Sequence, residues 1–194
     1  MSNPDGIVAI TGTPGVGKTT ISRLLAKTLR GAHMDLGRVV KRKGLTLGLD
    51  RKRRTFIADT SKLSELVKAC AREESGPIVV NSHLAPDVVP KRMLRMAFVL
   101  RCSPNELRAR MKRRGYIEEK IRENLMAEAL DVCLSEAISA YGRGRVHEID
   151  CTDKAPREIV DEMIEVLEGR LKPMVGRVDW LAELEKLGRT DLLE

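Results

Sequence analysis

The chain has 194 residues, 42% apolar and 32% charged, a balance that fits one folded domain and excludes a disordered polyelectrolyte. Its 35 lysines and arginines against 28 acids leave a formal net charge of +7, which favours acidic partners such as nucleotides or RNA without specifying a fold. A polar start from Met1 to Gly6, and no apolar run near the roughly 20 residues of a membrane span, exclude a leader or a spanning helix on sequence grounds, so a cytoplasmic location is expected.

In chain order, strand-length apolar runs fall at 7–11, 32–34, 77–80, 96–101 and 146–149. Segments of helical period fall between and after them, at 18–30, 61–74, 104–113, 117–141 and 156–171. Alternation of this kind predicts an α/β fold: a parallel sheet flanked by helices on both faces, in three layers. Gly31, Gly76 and Gly115 stand at helix ends, and Pro104 and Pro156 at first helical turns. Residues 173–194 form a distinct tail with Val178, Trp180, Leu181, Leu184 and Leu187 at near-helical spacing. Two readings of it stand, a terminal helix packed on the body or a docking segment for a partner. Cys70, Cys102, Cys133 and Cys151 are scattered, with no C-x-x-C pair, so free thiols are expected rather than disulfides or zinc.

The segment Gly12-Thr13-Pro14-Gly15-Val16-Gly17-Lys18-Thr19 satisfies G-x-x-x-x-G-K-[ST] between an apolar strand and a helical segment. Glycines at these places let backbone N–H groups curl around phosphates, and the following helix adds its unpaired N–H groups and positive dipole end. Gly15, Val16, Gly17, Lys18, Thr19 and Thr20 are therefore candidate ATP-binding residues. Lys18 reaches the terminal phosphates, Thr19 ligates Mg²⁺, and Thr20 offers a hydroxyl to the α-phosphate.

The next apolar strand runs into Asn81-Ser82-His83. Asn81 stands where such folds carry an acid that holds metal through water, so it is a candidate metal residue without charge, with Asp35 or Asp87 as acids that could assist. His83 is a candidate for positioning a water or a substrate hydroxyl. Arg108, Arg110, Lys112, Arg113 and Arg114 crowd a helix end before Gly115-Tyr116, which reads either as a solvated face or as a hinged lid whose Arg110 or Arg114 neutralises a migrating phosphoryl group. A second basic run comprises Arg38, Lys41, Arg42, Lys43, Arg51, Lys52, Arg53 and Arg54. It fits either an acceptor-phosphate site or a sequence-independent RNA-backbone surface, and only Phe56 stands near for base stacking.

Residues 12–20, Asn81-Ser82-His83 with Pro90 and Arg92, Arg110 and Arg114-Gly115-Tyr116 together resemble the adenylate kinase isoenzyme six family, in an archaeal form, through about residue 170. The resemblance implies an adenylate-kinase-like P-loop domain over 1–172, with a monophosphate-binding region near 35–58 and a lid near 112–122. It implies Mg²⁺-dependent transfer from ATP to AMP or a related nucleoside monophosphate, ATPase activity, and a role in small ribosomal subunit maturation through a ribosomal protein. On that basis Gly15, Gly17, Lys18, Thr19, Thr20 and Arg114 bind ATP and His83 matches an Asp-x-His element. Asn81 departs from it.

Overall fold

The computed structural model of the protein describes residues 6–50 and 55–189. Its elements are β1 (Ile7–Thr11), α1 (Lys18–Leu29), β2 (Ala32–Asp35), α2 (Leu36–Lys43), β3 (Thr46–Asp50), β4 (Thr55–Ala58), α3 (Thr60–Glu73), β5 (Ile78–Asn81), α4 (Ala85–Val88) and β6 (Leu94–Arg101). There follow α5 (Pro104–Arg113), α6 (Glu118–Ala129), α7 (Val132–Tyr141), β7 (Val146–Asp150), α8 (Pro156–Leu167) and α9 (Trp180–Lys186). The main sheet has the order β2-β5-β1-β6-β7, and all four pairings are parallel.

Side chains alternate across a strand, so each continuous apolar run serves two layers. Val8, Ile10, Phe98 and Leu100 face a core completed by α1, α5, α6 and α8. Ile7, Ala9, Ala97 and Val99 face the opposite core, closed by α3, α4 and α7 with Leu36 and Val39 of α2. This is the three-layer P-loop architecture that the alternation of apolar runs predicts. Among the described residues no helix is long and apolar enough to cross a membrane. The four cysteines are free thiols, and burial pushes Cys102 and Cys151 up to about 12, which removes their nucleophilicity.

Three departures from the sequence reading have physical causes. The single helix predicted over 117–141 is two helices, because buried Arg101 donates to the Glu128 carbonyl at 2.8 Å and to the Asp131 carboxylate, and Asp131 turns at φ 55°. That side chain claims the helix end. The helix predicted to 171 stops at Leu167, with Gly169 at φ 75° just beyond. The basic stretch carries structure of its own: α2, capped by Asp35 accepting from Arg38 N at 3.1 Å, and an antiparallel hairpin of β3 and β4. Arg51, Lys52, Arg53 and Arg54 lie outside the described residues.

The tail is a packed terminal helix. Trp180 and Leu184 of α9 bury against Ala129 at the end of α6, with Val178 alongside.

Candidate active site

The Gly12–Thr19 loop leaves the carboxyl end of β1, the middle strand of the sheet, and enters α1 at Lys18. Strand ends at this point in a parallel sheet form a natural crevice. Gly12 has φ 134°, and a Cβ there would stand 2.4 Å from the Leu100 carbonyl oxygen; at Gly15, φ 104°, it would stand 2.8 Å from a Leu107 methyl. The glycines thus seat the loop on β6 and α5 as well as baring its amides. No described side chain caps α1; Thr20 N donates to the Gly17 carbonyl at 3.0 Å, and the Lys18 and Thr19 N–H groups ahead of it suit an anion.

Lys18 folds back over the loop, donating from Nζ to the carbonyls of Gly12 at 2.6 Å and Thr13 at 2.9 Å. Burial lowers its pKa to about 8, only partly offset by Cys133, Glu128 and Asp35. A part-buried ammonium whose hydrogen bonds go to neutral carbonyls gains from an anionic partner. The Thr19 hydroxyl donates to Asp35 Oδ2 at 3.2 Å, which joins a phosphate-loop hydroxyl to a carboxylate at the end of β2.

Asn81, expected from the sequence to orient a metal-bound water, is otherwise engaged. Its carbonyl oxygen lies 3.1 Å from the Ser22 hydroxyl and 2.7 Å from His33 Nε2, and those two groups are 2.9 Å apart. Asp35 is its neighbour across the β2–β5 register. The acid missing at position 81 therefore has a counterpart one strand away. His83 stands in the turn after β5, where desolvation first and Lys18 next lower its pKa, with Asp87 opposing.

Arg110 reaches the loop directly, donating from Nη1 to the Val16 carbonyl at 3.0 Å while Glu106 holds its other edge at 2.9 and 2.5 Å. Arg114, at the end of α5, is exposed. With Gly15, Gly17, Thr20 and Lys154 these two arginines line a cleft of about 370 Å³. Lys154, which the sequence reading passed over, stands in the turn after β7. Its signal was available, since that turn leaves the same end of the sheet as the phosphate loop. A larger, open cleft of about 1010 Å³ lies between the end of α2 and α3, lined by Lys43, Ser61, Lys62, Lys68 and Asp87. Of the basic run, Arg38, Arg42 and Lys43 line a groove with His33 and Met34, and Lys43 also borders the larger cleft.

These residues fit Mg²⁺ and a polyphosphate. Among the described residues no group of three or more His, Cys, Asp or Glu side chains could hold a metal alone. A hard cation that keeps waters and takes phosphate oxygens needs only the Thr19 hydroxyl and a carboxylate such as Asp35 to receive its waters. When bound, the ion would neutralise charge on the phosphates.

Residues 8–131 match the family model described as an AAA domain. Over 182 residues the chain is 35% identical to a Methanococcus maripaludis protein named "Putative adenylate kinase", covering 91% of this chain and 96% of the relative. A Methanothermobacter thermautotrophicus protein of the same name is 41% identical over 177 residues, covering 90% and 96%. The chain belongs to this adenylate-kinase-like archaeal family. The family match takes in the phosphate loop, Asp35, Asn81, His83, Arg110 and Arg114, and ends before Lys154 and Trp180. Solved structures share the family's fold: a gluconokinase from Sinorhizobium meliloti 1021 (TM-score 0.52, 17% identity, 86% of this chain and 93% of that one) and shikimate kinase from Aquifex aeolicus (0.51, 18%, 84% and 97%).

Proposed function

We propose that the protein is a nucleotide kinase that transfers the terminal phosphoryl group of Mg-ATP to AMP or a related nucleoside monophosphate, with ATPase activity when water replaces the acceptor. The observation that carries this is the presence of two clefts, one at the phosphate loop and one between the end of α2 and α3, since transfer between two nucleotides needs two sites and hydrolysis needs one. The smaller cleft suits ATP, with Gly15, Val16, Gly17, Lys18, Thr19 and Thr20 on its phosphates and Arg110 and Arg114 over the migrating group. Thr19 would ligate the metal and Asp35 would hold its water in place of Asn81. The larger cleft, with Lys43 beside the ion-paired Lys62 and Lys68, suits the acceptor phosphate, and His83 would orient the attacking oxygen. Residues 35–58 would then act as the monophosphate-binding region and 112–122 as the lid on a 1–172 domain, with 173–194 as its tail.

A coupled assay with AMP, CMP, GMP and UMP tests the proposal. ATP consumption should rise with at least one monophosphate, and no stimulation by any of the four overturns it.

A second reading is favoured by one observation, the exposed Leu47, Leu49 and Phe56 on a hairpin beside the exposed Arg38, Lys41, Arg42 and Lys43. On this reading the protein is an ATP-dependent assembly factor of the isoenzyme six type, acting on a small-subunit ribosomal protein or rRNA. Identical binding of rRNA in apo, ADP and ATP states, together with identical binding of ribosomal protein, removes it.

A further inference from the structure

Glu128 near the end of α6 is 2% exposed, and both of its carboxylate oxygens are in use. Oε2 accepts from the Thr13 hydroxyl of the phosphate loop. Oε1 accepts from Arg101 Nε at 2.8 Å, from Cys102 N at 3.1 Å, and from the indole Nε1 of Trp180 at 3.2 Å. One buried carboxylate therefore holds the C-terminal segment with one oxygen and the phosphate loop with the other.

The segment leading to Trp180 is tied to the same network. Arg101 donates from Nη1 to Glu148 Oε1 at 2.6 Å, and Glu148 Oε2 accepts from Arg177 N at 2.7 Å. Glu148 N donates to the Met174 carbonyl at 2.8 Å, and Arg177 reaches Glu162 at 2.5 Å. Three carboxylates, of Glu128, Asp131 and Glu148, face the single guanidinium of Arg101. The neutral donors Thr13, Trp180 and Arg177 N complete their hydrogen bonding, and a buried network of this kind is rigid only when fully satisfied. On the loop side, the Thr13 carbonyl accepts from the Lys18 ammonium. Trp180, Glu128, Thr13 and Lys18 thus form a continuous chain of hydrogen bonds from tail to phosphate cradle.

We infer that Trp180 is a positioning residue for the phosphate loop, acting through Glu128 and Thr13, so that nucleotide binding and docking of the C-terminal segment are energetically coupled. This rests on the reading of the loop as an ATP site. When a polyphosphate draws Lys18 off the Thr13 carbonyl, Thr13 and Glu128 readjust, and the indole bonded to Glu128 feels the change. Coupling is reciprocal, so a segment that favours the loop's binding geometry is itself held more firmly when nucleotide is bound.

Trp180 is the only tryptophan in the chain, so emission excited at wavelengths that spare Tyr116 and Tyr141 reports the surroundings of this one indole. The test titrates full-length protein with Mg-ATP, following intrinsic fluorescence, and measures affinity independently by calorimetry. Emission should change saturably with the calorimetric Kd. Trp180→Phe, which keeps an aromatic ring and loses the indole N–H, should weaken ATP binding by about 3- to 10-fold, the scale of one hydrogen bond. Thr13→Val should abolish the fluorescence response at saturating ATP, and Thr13→Ser, which restores the hydroxyl, should recover it. A protein that binds ATP with silent Trp180 emission overturns the inference and leaves the nucleotide site standing. A Thr13→Val variant that keeps the full response overturns it too. Failure of the wild-type chain to bind ATP removes both.

Discussion

The Thr19 hydroxyl donates to the Asp35 carboxylate at 3.2 Å, while Asn81, at the strand end facing Asp35, spends its carbonyl oxygen on Ser22 and His33. The carboxylate that serves the metal is therefore expected on β2. Asp35→Asn should weaken the Mg²⁺ dependence of ATP binding by about 10-fold or more, at the low end of what loss of a metal-orienting partner costs. Mn²⁺ binding followed by electron paramagnetic resonance checks this apart from turnover. Asn81→Asp should bring no gain in hydrolysis above about 2-fold, since Ser22 and His33 claim that position; a large gain would return the metal role to residue 81.

Removing the Lys18 ammonium leaves the loop carbonyls facing polyphosphate with no cation between them. Lys18→Ala should reduce ATP affinity by about 10- to 100-fold, the scale of a hydrogen bond to a charged group. Turnover should fall further, because the charge matters most while the phosphoryl group is in flight. Wild-type affinity and turnover in this variant would refute the site.

Lys18 also makes binding pH-dependent. In the free protein it titrates near 8 instead of 10.5, and a bound polyphosphate favours its charged form and raises the pKa again. Between those two values ATP binding should take up a proton, so affinity should fall as pH rises above about 8 and be independent of this group well below it. Calorimetry in two buffers of different ionisation heat should show uptake approaching one proton at about pH 9 and little at about pH 7. For folding the sign is opposite. The unfolded chain binds the extra proton in that window, so this group's contribution to stability improves as pH rises through it.

A Cβ at residue 12 would meet the Leu100 carbonyl oxygen at 2.4 Å in a backbone with φ 134°. Gly12→Ala should cost about 1 to 3 kcal/mol, from crowding and backbone strain together, and lower ATP affinity as the loop shifts. Thermal unfolding and calorimetry measure the two effects separately.

Arg101 is 2% exposed and pairs with Glu128, Glu148 and Asp131. Arg101→Leu leaves two of those carboxylates buried without their cation and should destabilise the protein by about 3 to 5 kcal/mol. Denaturant unfolding reads this directly, and a change under about 1 kcal/mol would show that the acids find other partners.

The phosphate loop and the layer architecture were legible because their signals are local. Gly12 to Thr19 is a contiguous pattern, and strand runs such as Val8 to Ile10 show burial on both faces without reference to any partner. Helix α2, the β3–β4 hairpin and the break at Asp131 were not legible. The first two hide in a segment read for its charge, and the third is imposed by Arg101 from another strand.

The sequence by itself determined a P-loop fold and the glycine-rich loop between β1 and α1, since backbone conformation there depends on near neighbours along the chain. Only the tertiary structure decided which acid stands beside Thr19 and what the Trp180 tail does. Asp35 reaches Thr19 because β2 lies beside β5 in the sheet order, and Glu128 meets Thr13 across 115 positions because the end of α6 comes up to the loop that follows β1. Such contacts depend on strand order and helix packing, and composition and local spacing carry no record of either.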